Sequence, residues 1–264
     1  MPPAKHAPAA EGRLPRGGRR REVAWLVVIR TLLEGFPGRS ERGFLGWSSC
    51  QLVLTPGGRR LLFDTGGMNE RVELPARLAA AGVAPEEVEA VVLSHLHFDH
   101  AANWELFPRA EILVHRRELE YAASDGADPA TLRCQARELA RHPRLRPVEG
   151  ELELGEGLRL LEVPGHTPGS LALEAGEAVL CGDALKNRWD LEGGVPQPVW
   201  DPGLARASIQ RLAARAGRLY PGHDAPLERR GGGWVPAGWP RMRLWLPAGG
   251  MREVALEDGG GGEG

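Results

Sequence analysis

The stretch that most constrains this chain is Val91-Val92-Leu93-Ser94-His95-Leu96-His97-Phe98-Asp99-His100. Its apolar, partly β-branched start reads as a buried strand. It then delivers four candidate metal ligands, His95, His97, Asp99 and His100, within six residues. A buried strand has to end at the edge of its sheet, so the turn that follows can aim all four side chains into one space. Three imidazoles and a carboxylate suit Zn²⁺ or another borderline divalent ion. The alternative is that His95 and His97 are solvated loop residues.

The other histidines decide between these readings. His166 lies in Val163-Pro164-Gly165-His166-Thr167-Pro168-Gly169-Ser170, and His223 in Leu219-Tyr220-Pro221-Gly222-His223-Asp224. Asp183 follows Val179-Leu180-Cys181-Gly182 in the same manner. Ligand types at strand ends, beside glycines that let backbones approach closely, describe a metal centre built on sheet edges. His6, His115 and His142 lack such surroundings and read as ordinary structural residues.

Around these points the chain alternates α and β. Val23 to Leu33 reads as a strand, and Gln51 to Leu54 and Leu61 to Asp64 as a hairpin across Thr-Pro-Gly-Gly-Arg-Arg. Helices are expected near Leu74 to Ala81 and Ala101 to Phe107, with strands at Ala90 to Ser94 and Glu111 to His115. Asp128-Pro129 and Asp201-Pro202 each read as a helix start, a capping aspartate followed by proline in the first turn. Strands fall at Leu158 to Val163, Ser170 to Leu173 and Ala178 to Cys181. This divides the chain into a basic tail over 1–21, expected to be disordered for want of large apolar side chains, a main domain over 22–228, and a C-terminal β-segment with a Gly-rich tail over 229–264.

Charge and composition exclude several classes. The 33 basic and 35 acidic residues nearly cancel, but residues 1–21 carry six basic residues and one acidic one. The rest is therefore acidic, which argues against a nucleic-acid-binding body. No run approaches the roughly 20 apolar residues that cross a bilayer, and the N-terminus lacks the apolar core of a secretory signal. Three cysteines, Cys50, Cys134 and Cys181, without a C-x-x-C pair, read as buried thiols in a cytoplasmic protein. Only two residues are lysines, Lys5 and Lys186, so a lysine three positions after Asp183 stands out.

The order His95-x-His97-x-Asp99-His100, His166, Asp183, His223 resembles the metallo-β-lactamase superfamily, over about Val23 to Asp224. The resemblance implies an α/β fold, an αββα four-layer sandwich with metals at one edge. It implies that His95, His97 and His166 bind one divalent metal ion and Asp99, His100 and His223 a second, with Asp183 bridging. Asp64, in Phe63-Asp64-Thr65-Gly66, resembles an aspartate that supports the site without binding metal. The flavodiiron branch carries a carboxylate where this chain keeps His97. Zinc is the default, with iron or manganese as alternatives.

Two such ions hold a water between them and bring its pKa from about 15.7 to about 7. The implied enzyme is thus a hydrolase that uses a metal-bridging hydroxide on a lactone, ester or thioester carbonyl, with Asp99 handling the proton. Lys186 resembles the lysine that grips the substrate carboxylate in true β-lactamases, with Arg188 assisting, so the small-molecule substrate is expected to be anionic. The loop from Trp189 to Pro202, with Trp200, Pro196 and Pro198, forms an apolar wall above the metals or packs on the sandwich; Trp104 reads as core. The His-Leu-His-Phe-Asp-His-Ala-Ala-Asn run resembles N-acyl homoserine lactonases most, although they usually place a tyrosine where Lys186 stands. Asp183 replaces the cysteine of true β-lactamases, the segment after His223 does not match glyoxalase II, and no ribonuclease Z-like basic arm is visible. The alternatives are a mononuclear iron persulfide dioxygenase, a phosphodiesterase or nuclease of the same superfamily, and a metal-binding protein with a vestigial site.

Overall fold

The computed structural model describes residues 26–255 apart from 248. The basic tail and the last Gly-rich residues lie outside them, as does His6. The first half runs β1 (Val28–Leu33), a small finger of β2 (Arg39–Ser40) and β3 (Gly43–Phe44), then β4 (Cys50–Leu54), β5 (Arg60–Phe63), α1 (Glu73–Ala80), β6 (Ala90–Val92), α2 (Phe98–Ala101), β7 (Glu111–His115), α3 (Arg116–Ala123), α4 (Arg133–Leu139) and β8 (Leu145–Val148). The second half runs β9 (Leu152–Gly155), β10 (Leu158–Glu162), β11 (Leu171–Ala175), β12 (Ala178–Gly182), α5 (Pro202–Arg215), β13 (Arg218–Pro221), β14 (Leu227–Arg230), β15 (Gly233–Pro236), β16 (Arg241–Leu246) and β17 (Gly250–Ala255).

Six strands form one sheet in the order β1-β4-β5-β6-β7-β8, and seven form another in the order β15-β14-β13-β12-β11-β10-β9. Strand alternation explains how they stack. Leu61 and Phe63 of β5 turn toward Leu158 and Leu160 of β10 and Leu171 and Leu173 of β11, making the core between the sheets. Their neighbour Leu62 turns the other way, onto Leu74 and Leu78 of α1 and Leu139 of α4. On the far side, Leu161, Val179 and Leu219 meet Ile209 and Leu212 of α5. A period of two on strands buried on both faces therefore yields four layers, αββα. Among the described residues no helix is long and apolar enough to cross a membrane.

The Asp201-Pro202 start is present: the Asp201 carboxylate accepts from the backbone N–H of Gly203 at 2.8 Å and Leu204 at 2.9 Å, a cap worth about 1 kcal/mol. The other expected helix starts are displaced. Asp128 caps no helix; its carboxylate accepts from Ala130 N–H and its carbonyl from Thr131 N–H, closing a tight turn. That turn is held against the ligand motif, because Phe98 N–H donates to Ala130 O at 2.9 Å and His97 pairs with Thr131. Helix α4 starts only at Arg133. Likewise the helix expected over Ala101 to Phe107 is α2, which opens at Phe98 inside the motif, followed by a 3₁₀ turn at Trp104–Leu106. Helix α3 escaped the sequence reading, since its stretch RRELEYAA is mostly polar.

Two further expectations change. The boundary placed at 228 falls inside β14, and the second sheet continues to Pro236 because β14 and β15 form a regular antiparallel pair. Beyond it, β16 and β17 form a separate hairpin. Cys50 and Cys181 are buried thiols as expected, but Cys134, on the outer face of α4, is exposed.

Candidate metal centre

All seven expected ligand residues converge at one edge of the sandwich, and all are buried. The turn after β6 brings His95, His97, Asp99 and His100; the loop between β10 and β11 brings His166; the ends of β12 and β13 bring Asp183 and His223. His95, His97 and His166 offer ligand atoms within 4.8 Å of one another, as do Asp99, His100 and His223. Asp183 faces both groups. Its Oδ1 lies 3.1 Å from His100 Nε2 and 3.4 Å from His223 Nε2, and its Oδ2 lies 3.5 Å from His166 Nε2.

Electrostatics divides the histidines. Burial, followed by the nearness of other histidines, pushes His95 well below the usual imidazole value. Burial and then His166 push His97 down to about 3, and burial pushes His166 down to about 4. These three rings are neutral at ordinary pH, with lone pairs to donate. His100 and His223 move the other way: burial alone would lower them, and Asp183 outweighs it. Asp183 itself is held well below the carboxylate range, where Lys186, His223 and His100 overcome the opposing effect of burial.

This donor set fits divalent metal. His95 Nε2 is buried with no hydrogen-bond partner, which is costly for a polar atom unless something else uses its lone pair. The groups behind the ligands are engaged as metal sites require. Asp64 accepts from Ser94 N–H at 2.7 Å and Ser94 Oγ at 2.8 Å, and its Oδ2 lies 2.8 Å from His100 Nδ1. A proton held on His100 Nδ1 toward Asp64 would leave Nε2, 3.1 Å from Asp183 Oδ1, as the atom that a metal ion could take in exchange for its proton.

One supporting residue was not foreseen. Glu118 of α3 is fully buried, and its carboxylate accepts from Leu96 N–H at 3.0 Å, Thr167 Oγ1 at 2.7 Å and Gly169 N–H at 3.1 Å. It ties the His95–His97 turn to the His166 loop, and nothing in its polar helix marks it in the sequence. In Glu118→Gln, one of these donors meets an amide NH₂ instead of an oxygen, a mismatch worth about 1–3 kcal/mol. The expected outcome is a 10- to 100-fold weaker hold on metal, read by chelator competition; unchanged competition would overturn this role.

Lys186 and Arg188 separate. Lys186 is at the site: its Nζ lies 3.1 Å from Asp183 Oδ2 and donates to Gln197 O at 3.2 Å. Arg188 is a correction. Its guanidinium forks the buried Asp224, Nε donating to Oδ2 at 2.8 Å and Nη2 to Oδ1 at 2.6 Å, and it stacks 4.5 Å from the Trp239 ring. A fork committed to a buried carboxylate does not grip a substrate.

The apolar wall also divides. Trp189, Val195 and Pro196 line a cavity of about 300 Å³ that reaches His223, whereas Trp200 borders a different surface depression with Tyr121 and Pro164. The same cavity is lined by Phe36 and, from the β2–β3 finger, Phe44, both in a Gly-rich stretch without periodicity. Trp104 is core and packs its ring 5.1 Å from His142. His115 caps α3 and pairs with Glu162.

Two stacked mixed sheets between helices, with imidazoles and carboxylates gathered at their edge, define an αββα protein with a candidate metal centre. Residues 46–223 match the metallo-beta-lactamase superfamily model, and the chain belongs to that family. It is 32% identical over 171 residues to an N-acyl homoserine lactonase of Bacillus thuringiensis, a match covering 61% of this chain and 66%, just under two thirds, of the lactonase. It is 33% identical over 211 residues to metallo-beta-lactamase domain-containing protein 1 of Mus musculus, covering 76% and 74% of the two chains. Among solved structures, an N-acyl homoserine lactone hydrolase with the product N-hexanoyl-L-homoserine at its catalytic metal center superposes with a TM-score of 0.56 at 27% identity, covering 67% of this chain and 80% of that one.

Proposed function

We propose that the chain is a dinuclear metal-dependent hydrolase that opens a lactone or cleaves an ester or thioester at the carbonyl. The observation that carries this reading is Asp183, with one carboxylate oxygen toward each of two ligand groups. His95, His97 and His166 would hold one ion, Asp99, His100 and His223 the other, and Asp183 both. The imidazole-rich donor set favours zinc. When bound, such a pair of ions supplies Lewis acidity and an acidified water.

The chain's own groups supply the rest. Asp99 has a side chain 13% exposed and an Oδ2 3.2 Å from His223 Nε2. It is the carboxylate placed to take a proton and return it to the leaving oxygen or sulfur. Asp64 fixes His100, and Glu118 fixes the two turns that carry His95, His97 and His166. The cavity walls of Phe36, Phe44, Val195 and Pro196 pack an apolar acyl group and exclude water. Lactones stand first among candidate substrates, since lactone hydrolases are among the relatives.

The test is elemental analysis of protein purified without added metal, beside turnover of a lactone, a thioester, a β-lactam and a phosphodiester. Two metal equivalents with lactone or thioester turnover are expected. One equivalent of iron with oxygen consumption and no hydrolysis would overturn the reading in favour of the dioxygenase.

A further inference from the structure

Many of the described arginines are spent on carboxylates, as Arg77 on Glu73, Arg188 on Asp224, Arg215 on Glu174 and Arg243 on Glu253. Arg39, on the finger over the site, is different. Among the described residues its guanidinium makes no ion pair and no side-chain hydrogen bond, and it rests 4.9 Å from the centre of the Phe44 ring. Such stacking orients a guanidinium by its face and leaves the N–H groups at its edge open to accept a partner.

Its position gives those donors a use. Arg39 and Phe44 line both the cavity of about 300 Å³ that reaches His223 and the adjoining one of about 560 Å³. The carboxylates in these walls are already engaged: Asp190 accepts from the backbone N–H of Lys186 at 2.7 Å and Asn187 at 3.1 Å, and Asp128 from that of Ala130 at 2.7 Å. The Lys186 ammonium is held in an ion pair with Asp183 and donates to Gln197 O. Among the described residues at this mouth, Arg39 is therefore the cation whose charge no carboxylate meets, beside an apolar wall of Phe44, Val195 and Pro196.

We propose that Arg39 is a specificity-determining residue that binds a carboxylate on the substrate, remote from the carbonyl attacked, while the apolar body between them packs on Phe44, Val195 and Pro196. This names the substrate class of the hydrolase proposed above and rests on that reading. A planar guanidinium matches a carboxylate with two parallel N–H···O bonds. One free fork beside an aromatic wall suits a monoanion better than a phosphate dianion, which draws on several cations.

A matched pair of lactones tests it: N-hexanoyl homoserine lactone, and the analogue whose acyl chain ends in a carboxylate instead of the last methyl. The metal-loaded full chain is expected to prefer the carboxylate, and Arg39→Gln to cut the ratio of the two kcat/KM values about tenfold, mainly through KM. Arg42→Gln, on the same exposed finger but outside both cavities, is expected to leave that ratio unchanged. An unchanged ratio in Arg39→Gln, or an equal fall in Arg42→Gln, overturns the proposal, the latter because the effect would then be general charge. If neither lactone is turned over, the lactone reading fails on its own, and calorimetric titration with 4-phenylbutyrate and its neutral amide decides Arg39 separately. About tenfold weaker binding of the carboxylate alone in Arg39→Gln supports the proposal, and equal binding overturns it.

Discussion

Asp183→Ala is expected to lower metal content from two equivalents toward one or none and to cut turnover at least about a thousandfold, equivalent to about 4 kcal/mol of transition-state stabilisation. The size follows from the position. Asp183 is fully buried and places one oxygen within 3.1 Å of His100 Nε2 and the other within 3.5 Å of His166 Nε2, so its carboxylate reaches both ligand groups. Its charge also helps hold His100 and His223 above their ordinary values against the effect of burial, so truncation leaves these buried imidazoles with only Asp64 and Asp99 as counter-charges. Elemental analysis and kinetics on the same preparation check the result. A fully active variant with unchanged metal content would sink the assignment.

Gly222→Ala is expected to be nearly as severe, although no glycine binds metal. A Cβ at position 222 would stand 2.0 Å from Asp183 Oδ1 and 2.9 Å from the carbonyl carbon of Gly182. Neither side can give way. Asp183 is enclosed, and the Gly222 backbone is pinned by N–H donation to Leu185 O at 3.0 Å and by the bond from Ser49 N–H to its carbonyl at 2.7 Å. Overpacking of this kind costs about 3 kcal/mol, or roughly 6–12 °C in Tm for a domain of this size, and it displaces the Asp183 carboxylate. Calorimetric melting with metal analysis reads both effects. A variant with wild-type Tm and full metal content would show that the β12 and β13 ends are less tightly joined than these distances require.

The candidate ligand residues were legible because their context repeats. Each follows an apolar strand or sits in a Gly-Pro turn, and strands buried on both faces have to release their next residues at the sheet edge. Asp201-Pro202 was legible for a similar reason, since cap and proline act within one turn. Asp128-Pro129 carries the same dipeptide and starts no helix. There the backbone N–H of Phe98 and the pairing of His97 with Thr131 compete for the turn, and those partners lie some thirty positions away.

Glu118, Arg39 and Arg188 mark the limit of local reading. Each is a charged residue in a polar or Gly-rich stretch, and sequence alone gives no sign that Glu118 is enclosed, that Arg188 meets Asp224, or that Arg39 meets no acid among the described residues. Local sequence determined which side chains are candidates for metal chemistry and which strands bring them together, because propensity, alternation and turn residues act over a few positions. Only the tertiary structure decided which charges are spent on one another and which remain free to meet a substrate, because pairing and desolvation depend on residues brought together from distant parts of the chain.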